Sequence, residues 1–296
     1  MGVKKLRIES GAFKYYLFVP TLAILIFMTV VPLAFSLITS FTGYKATETG
    51  SFVFNGVDNF VRAWGDTNIR AAFRNTLTFV FFSVGIEFVL GMALAVLLNR
   101  QVRGITFIRT FLLLPMMVTP VAVGLLWRWM FNTDYGLINY FAGAWFGADP
   151  VNWLGEYLYA MPVVILVDVW QWTPFVVLSL LAGLQSLSSE PYEAGNIDGA
   201  NAWQIFRYIT LPQLKSVILV VLLIRTIDSF KSFDVVWILT NGGPGVSTEL
   251  FSSQIYRIAF KFWETGYASA VSWVFLIVVM VITSLFIRFL YREDVV

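Results

Sequence analysis

Two short stretches of an otherwise apolar chain carry side chains whose types and spacing could do chemistry. The first is Asp168, Trp170, Trp172, Thr173 and Phe175, grouped around Pro174; the second is Arg225, Asp228, Ser229, Lys231, Ser232 and Asp234. A carboxylate, flat aromatic faces and hydroxyls suit a sugar. Its ring has an apolar CH face that packs on an aromatic, and its hydroxyls hydrogen-bond carboxylates, serines and amides. Pro174 is expected to open the helix locally and present Asp168 and the two indoles, although a tryptophan at such a place also has a plain role as packing. At about 100° per residue, Arg225, Ser229 and Ser232 share one helical stripe. The three-residue steps from Arg225 to Asp234 carry the charges halfway round, so all of them cannot line one pocket. Neighbours of opposite sign, Arg225 with Asp228 and Lys231 with Asp234, can pair and lower each other's desolvation cost. Other chemistries are excluded by composition: with no cysteine and no histidine, there is no thiolate, no imidazole base, no disulfide and no zinc site of the usual ligand types.

These residues must be positioned by membrane helices. Of 296 residues, 58% are hydrophobic and only 13% charged, with a mean hydropathy of +0.76; a water-soluble domain could not cover that much apolar surface. A span needs about 20 mostly apolar residues. That length finds six, at Tyr16 to Leu37, Leu77 to Leu98, Phe111 to Phe131, Met161 to Leu184, Ser216 to Leu239, and Ala268 to Leu290. The expected fold is an all-α integral membrane protein, a six-transmembrane-helix bundle forming one domain over residues 1–296. Polar groups inside spans are costly and face the bundle interior or a cavity, which places both candidate stretches there. Glu87 and Arg128, the remaining intramembrane charges, look isolated and would make a weak ion path.

Orientation follows from Lys and Arg in short connections, which are enriched on the cytoplasmic side. One side collects Lys4, Lys5, Arg7, Lys14, Arg100, Arg103, Arg109, Arg207, Lys215, Arg288 and Arg292; the other has Lys45, Arg62, Arg70, Arg74, Arg257 and Lys261. Both termini are therefore expected to be cytoplasmic. The first apolar segment is too long for a secretory signal and lacks a small-residue cleavage site after it, so it is expected to be retained as a span. The longer connections, 42–75, 132–160 and 241–267, are expected to form a structured extracytoplasmic cap. Their aromatics, among them Trp64, Trp145 and Trp153, would anchor it at the interface; a protein-docking surface is the other reading. A net charge of +2 without a basic stripe argues against nucleic acid. No glycine pair precedes Lys-Ser or Lys-Thr, so the chain holds no phosphate-binding loop for ATP.

Between the fourth and fifth spans lies a polar island, residues 186–215. Ser188 or Ser189 can cap a helix start, with Glu190-Pro191 in its first turn. Asp198-Gly199 permits a turn that a residue with a Cβ would resist. Trp203, Phe206 and Ile209 then recur at three-residue steps on a second short helix, and Leu211-Pro212 closes the unit. The pattern alone suffices for a solvated hairpin.

The run Glu193-Ala194-Gly195-Asn196-Ile197-Asp198-Gly199-Ala200, followed by Phe206, Ile209 and Leu211-Pro212, closely resembles the cytoplasmic coupling loop of ABC importer permeases. The chain departs from that pattern at Gly195, where the family more often has Ala, a change that loosens the helix by up to about 1 kcal/mol. Thr240-Asn241-Gly242-Gly243-Pro244, after Phe233-Asp234 and before Thr248-Glu249, resembles the maltose-type, carbohydrate-uptake branch, and the first permease of its pair. By itself that segment is only a tight turn. Supporting fragments are 54–60, Arg109 leading into Leu114-Pro115, Trp127 and 136–139. The resemblance implies a multi-pass permease of a bacterial-type cytoplasmic (inner) membrane that translocates a carbohydrate or polyol by ATP-driven alternating access and is not itself an enzyme. It implies a second related permease, two ATPase subunits that hold ATP and Mg, and an extracytoplasmic solute-binding protein, with no cofactor or metal in this chain. ATPase coupling would fall to Glu193, Ala194, Asp198, Gly199 and Ala200, and substrate contact to Asp168, Trp172, Phe175, Ser229 and Ser232, with Met116 as a further candidate. Glycerol 3-phosphate is an alternative solute. A stand-alone ion-coupled carrier and a lipid-linked transferase are the alternative classes.

Overall fold

The computed structural model describes residues 11–99 and 104–291; Lys4, Lys5, Arg7, Arg100, Arg103 and Arg292 of the orientation argument lie outside them. The described residues are almost entirely helical, with one isolated antiparallel bridge between Thr42 and Phe54. In chain order the helices are α1 (Gly11–Ser40), α2 (Asp58–Gly65), α3 (Thr67–Leu98), α4 (Ile105–Met117), α5 (Pro120–Met130), α6 (Leu137–Phe146), α7 (Tyr157–Gln185), α8 (Glu190–Ile197) and α9 (Ala202–Ile205). After a π-helical turn at Phe206–Thr210 come α10 (Leu211–Gln213), α11 (Lys215–Phe230), α12 (Asp234–Leu239), α13 (Phe251–Phe260) and α14 (Thr265–Tyr291).

Four helices, α1 from Phe18, α3, α7 and α14 to Arg288, are long and apolar enough to cross a membrane singly. Two bent pairs raise the number to as many as six: α4 with α5, at 94°, and the segment Ala202–Gln213 with α11, at 69°. The expected third and fifth spans are thus broken helices. In the third, Pro120 disfavours helical backbone at the residue before it, and Thr119 is extended (φ −63, ψ 144), so α5 restarts at a new angle. In the fifth, the Lys231 and Ser232 amides donate three residues back to the Asp228 and Ser229 carbonyls at 3.1 and 3.2 Å, which ends α11. Phe233 (φ −140, ψ −59) then turns the chain into α12. The second span starts ten residues earlier than hydropathy suggests because Asp66 caps it, its Oδ1 accepting from the Asn68 and Ile69 amides at 2.8 and 3.4 Å.

The chain forms two compact units. Among the described residues, the first comprises 11–65 and 256–274. Here Asn59 Nδ2 donates to the Ser40 and Thr42 carbonyls, at 3.0 and 2.8 Å, and ties α2 to the end of α1. Arg62 pairs with Glu264 at 2.7 Å and lies 3.9 Å over the Tyr267 ring. Thr39 Oγ1 donates to Ser269 Oγ across α1 and α14.

The second unit, described over residues 66–99, 104–255 and 275–291, contains the two apolar cores and every candidate solute residue. Its α3 and α7 pack closely because small residues let backbones approach where lipid offers no hydrophobic drive. A Cβ on Gly91 would meet Val176 Cγ1 at 2.5 Å and Cβ at 2.9 Å, and one on Gly124 of α5 would meet Ile238 of α12 at 3.0 Å. The Thr240–Gly245 turn is pinned rather than free: Thr248 Oγ1 donates to the Gly243 carbonyl at 2.7 Å, and Asn75 Nδ2 on α3 donates to the carbonyls of Val246 and Glu249 at 2.7 and 3.2 Å. Trp153, expected as an interface anchor, instead donates Nε1 to Asn139 Oδ1 at 2.7 Å.

The α3–α7 contact makes a stability prediction. Val176 is stiff at χ1 and cannot swing away, so Gly91→Ala should cost about 1–3 kcal/mol. Adding Val176→Ala should recover part of the loss. Thermal denaturation of the detergent-purified chain reads both; independent, additive losses would show that the two residues do not meet.

Candidate functional site

Three helices of the second unit meet at one buried charge cluster. Arg225 of α11 donates Nε to Glu87 Oε2 and Nη2 to Glu87 Oε1, both at 2.7 Å, a bidentate pair with α3. The same Nη2 donates to Asp168 Oδ2 of α7 at 3.1 Å and to Ser229 Oγ at 3.2 Å. All four side chains are buried, Glu87 and Arg225 at 0% and 2% exposure. The Arg225 guanidinium also lies 5.0 Å over the Trp172 ring, within cation–π range.

The helices bring these groups together because their apolar faces are split into two cores, and the polar residues fall at the junction. On α3, Phe79, Val80 and Val84 belong to one core and Met92, Ala95 and Leu98 to the other, with Glu87 between. On α11, Val221 and Phe230 flank Arg225 in the same way. Helix α7 runs unbroken through Pro174, so the expected local opening is absent; Thr173 Oγ1 instead bonds back to the Val169 carbonyl at 2.6 Å.

Beside the cluster is a cavity of about 110 Å³. Asp168, Gln171 and Trp172 of α7 line it with Arg225 and Asp228 of α11, the Lys231–Phe233 break, and Asp234 at the start of α12. Gln171 is 1% exposed; its Nε2 donates to the Val118 carbonyl at 3.3 Å, at the α4–α5 break, while its Oε1 has no partner. A larger cavity, about 750 Å³, lies between α3, α4 and α7 and is lined almost wholly by apolar side chains such as Leu90, Phe111 and Leu166.

The structure sorts the sequence-based candidates. Asp168, Trp172 and Ser232 line the polar cavity, and Ser229 sits behind it on Arg225. Phe175 packs with the second core, and Met116 on α4 is half-buried; neither lines the polar cavity. The i,i+3 pairing differs from expectation: Arg225 bonds across helices to Glu87 and Asp168, and Lys231 pairs with Asp228 at 3.0 Å rather than with Asp234. Glu87 is not isolated, and Arg128 donates to the Ile238 carbonyl at 3.1 Å, so the two do not form a path. Sequence reasoning missed Glu87 as the partner of Arg225, although one acid in an apolar span requires a cation from another helix. It also missed Gln171, three residues beyond Asp168 and so on the same helical face.

The polar island is a tight hairpin. Gly199 has φ +76, as the turn requires. Asn201 and Gln204 form a reciprocal capping box on α9, with bonds of 3.0 and 2.8 Å. Tyr192 Oη donates to Thr210 Oγ1 at 3.1 Å. A Cβ on Gly195 would meet Ile209 Cδ1 at 2.8 Å, so the glycine that departs from the family pattern seats Ile209. Pro212 does not end the unit: it lies in the first turn of α10, and the chain bends at Leu214 into α11. Glu193, Ala194, Asp198 and Gly199 are exposed and Ala200 is half-buried; Ile197 and Trp203 are 86% and 66% exposed.

Comparison with known proteins agrees with this organisation. Residues 87–293 match the family described as binding-protein-dependent transport system inner membrane component, and the chain belongs to that family. It is 39% identical over 274 residues to a probable ABC transporter permease protein, y4oQ, of Sinorhizobium fredii, covering 92% of this chain and 88% of that one. It is 33% identical over 287 residues to the trehalose/maltose transport system permease protein MalF of Thermococcus litoralis, covering 96% and 95%. Its fold matches a chain of a bacterial ABC transporter involved in import of the acidic polysaccharide alginate, with a TM-score of 0.82 at 24% identity over 95% of this chain and 96% of that one. The resemblance to ABC importer permeases is thereby borne out, as is a multi-pass membrane protein.

Removing the one cation of a buried ion cluster strands the carboxylates it holds, at about 3–5 kcal/mol. Arg225→Met should therefore lower the stability of the purified permease by that amount. The triple change Glu87→Leu, Asp168→Leu, Arg225→Met should recover most of it while transport stays lost. Denaturation and uptake measured side by side test this; a stable, fully active Arg225→Met protein would contradict the geometry.

Proposed function

We propose that this chain is one of two permeases in an importer for a carbohydrate or polyol. The observation that carries this reading is a half-buried tryptophan, a buried carboxylate and an amide oxygen in need of a donor, gathered in one cavity inside a membrane bundle of this family. The trehalose and maltose named for a relative at 33% identity support the solute class. The cavity is smaller than the roughly 300–1,000 Å³ of small-molecule sites. A second permease therefore supplies the rest of the site, and six spans with cytoplasmic termini put the polar island on the ATPase side.

In this mechanism the solute arrives from an extracytoplasmic binding protein and meets Trp172 with its apolar face and Asp168, Gln171 and Ser232 with its hydroxyls. Two separate ATPase subunits, which hold ATP and Mg, close on each other and pull on the exposed face of the hairpin at Glu193, Ala194, Ile197, Asp198 and Trp203. The two permeases rock between outward- and inward-facing states around the bound solute. No group in this chain needs to change covalently. A stand-alone ion-coupled carrier is disfavoured by the direct engagement of Glu87 with Arg225, which leaves no Glu87–Arg128 relay.

The test is at the hairpin. Ile197→Asp and Trp203→Asp change side chains exposed in this chain, so insertion and thermal stability should stay at wild-type levels while uptake by the complete complex falls at least about tenfold, the equivalent of one lost interaction of about 1.4 kcal/mol. Gly199→Trp should also lower uptake, with some loss of stability because φ +76 resists a residue with a Cβ. Wild-type uptake by correctly assembled variants would overturn the coupling role, and uptake by the isolated chain in liposomes under a proton or sodium gradient alone would favour a carrier.

A further inference from the structure

We propose that the cavity sorts solutes by charge sign, accepting neutral and cationic hydroxylated solutes and rejecting anionic ones. This rests on the reading of the cavity as part of the solute site. Three carboxylates, Asp168, Asp228 and Asp234, line it with two cations, Arg225 and Lys231. Both cations are already balanced. Arg225 is held from behind by Glu87 and from the side by Asp168, so its one charge faces two carboxylates. Lys231 is paired with Asp228. Asp234 is exposed and has no ion pair or side-chain hydrogen bond among the described residues. The local surplus is therefore negative.

The second, independent observation is Gln171. Its Nε2 is spent on the Val118 carbonyl, which turns the amide so that Oε1 is the free end. A buried oxygen acceptor without a partner is costly, and a donor from the solute relieves that cost. With Asp168 and Asp234 beside it, the wall is made of acceptors. Hydroxyl and ammonium groups supply donors to such a wall. A carboxylate, phosphate or sulfonate supplies acceptors and a like charge, and at an effective dielectric near 20 a single like charge at contact range weakens binding by about tenfold or more. By this account glycerol 3-phosphate is excluded as a solute, and so is an acidic sugar of the kind named for the fold neighbour.

The experiment uses the complete complex, this permease with its partner permease and ATPases, in lipid nanodiscs without the binding protein, so that only the membrane site selects. Binding of glucose, glucosamine and glucuronate is followed by saturation-transfer difference NMR, with Trp172→Ala to identify signal from this cavity. Glucose and glucosamine should give Trp172-dependent binding, and glucuronate at least about tenfold weaker binding. Asp234→Lys, a change at an exposed position, should bring glucuronate level with glucose and weaken glucosamine. Gln171→Leu should weaken glucose severalfold. Equal binding of glucuronate and glucose by the wild type, or an order unchanged by Asp234→Lys, overturns the charge selection while leaving the site in place. An unchanged glucose affinity in Gln171→Leu shows that its Oε1 meets only water and overturns the acceptor wall. If none of the three sugars gives a Trp172-dependent signal, the site assignment falls and the inference falls with it.

Discussion

The bidentate contact between Arg225 and Glu87, shared with Asp168, is the constraint on which the rest of the second unit depends. Desolvating these charges is expensive, and only close geometry and saturated hydrogen bonds offset the cost. The 2.7 and 3.1 Å distances meet that condition. Rotating α3, α7 or α11 by a single residue, about 100°, would break the cluster and leave a charge unpaired at the junction of two apolar cores. The cluster thus fixes the rotational register of three helices that lipid-facing apolar surface would leave free to turn. The same guanidinium lies over Trp172, so the register of the bundle and the shape of the polar cavity are set by one group.

Around that fixed point the bundle opens where its helices break. The α4–α5 and α11–α12 interruptions expose backbone that membrane interiors tolerate only where protein or a cavity receives it. Here both open toward the polar cavity: Gln171 takes the Val118 carbonyl at one break, and Lys231 to Phe233 line the cavity at the other. Helix α5 and α12 lie close against each other because Gly124 leaves room for Ile238, which holds the two breaks together.

The hairpin is connected to the site by packing rather than by sequence proximity. Leu214, at the bend into α11, is fully buried, and a Cβ on Gly183 near the end of α7 would meet its Cδ2 at 2.9 Å and Val217 at 3.0 Å. Leu214 and Gly183 thus tie the hairpin to α7 and α11, the helices that carry Asp168 and Arg225. Tyr192–Thr210 and the seat of Ile209 on Gly195 stiffen the hairpin.

Length and hydropathy determined that this chain is a helical membrane protein, since about 20 apolar residues in a row have few other uses. The island from Glu193 to Pro212 made the family legible, because cap, turn and amphipathic step are local signals. Asp168, Trp172 and Ser232 were legible as candidates because polar groups inside spans are rare, and they line the polar cavity. What tertiary structure decided was which of them meet. Arg225 has an acid three residues away on its own helix, and helical geometry allows that pair, yet it bonds to Glu87, 138 positions distant. Only packing brings in the stronger, bidentate partner. Phe175 and Met116 have suitable chemistry but do not line the polar cavity, whereas Gln171 does, its amide nitrogen occupied by the Val118 carbonyl at the break. The breaks within the third and fifth spans were invisible to a hydropathy window, which sums apolar character and is blind to where the backbone turns.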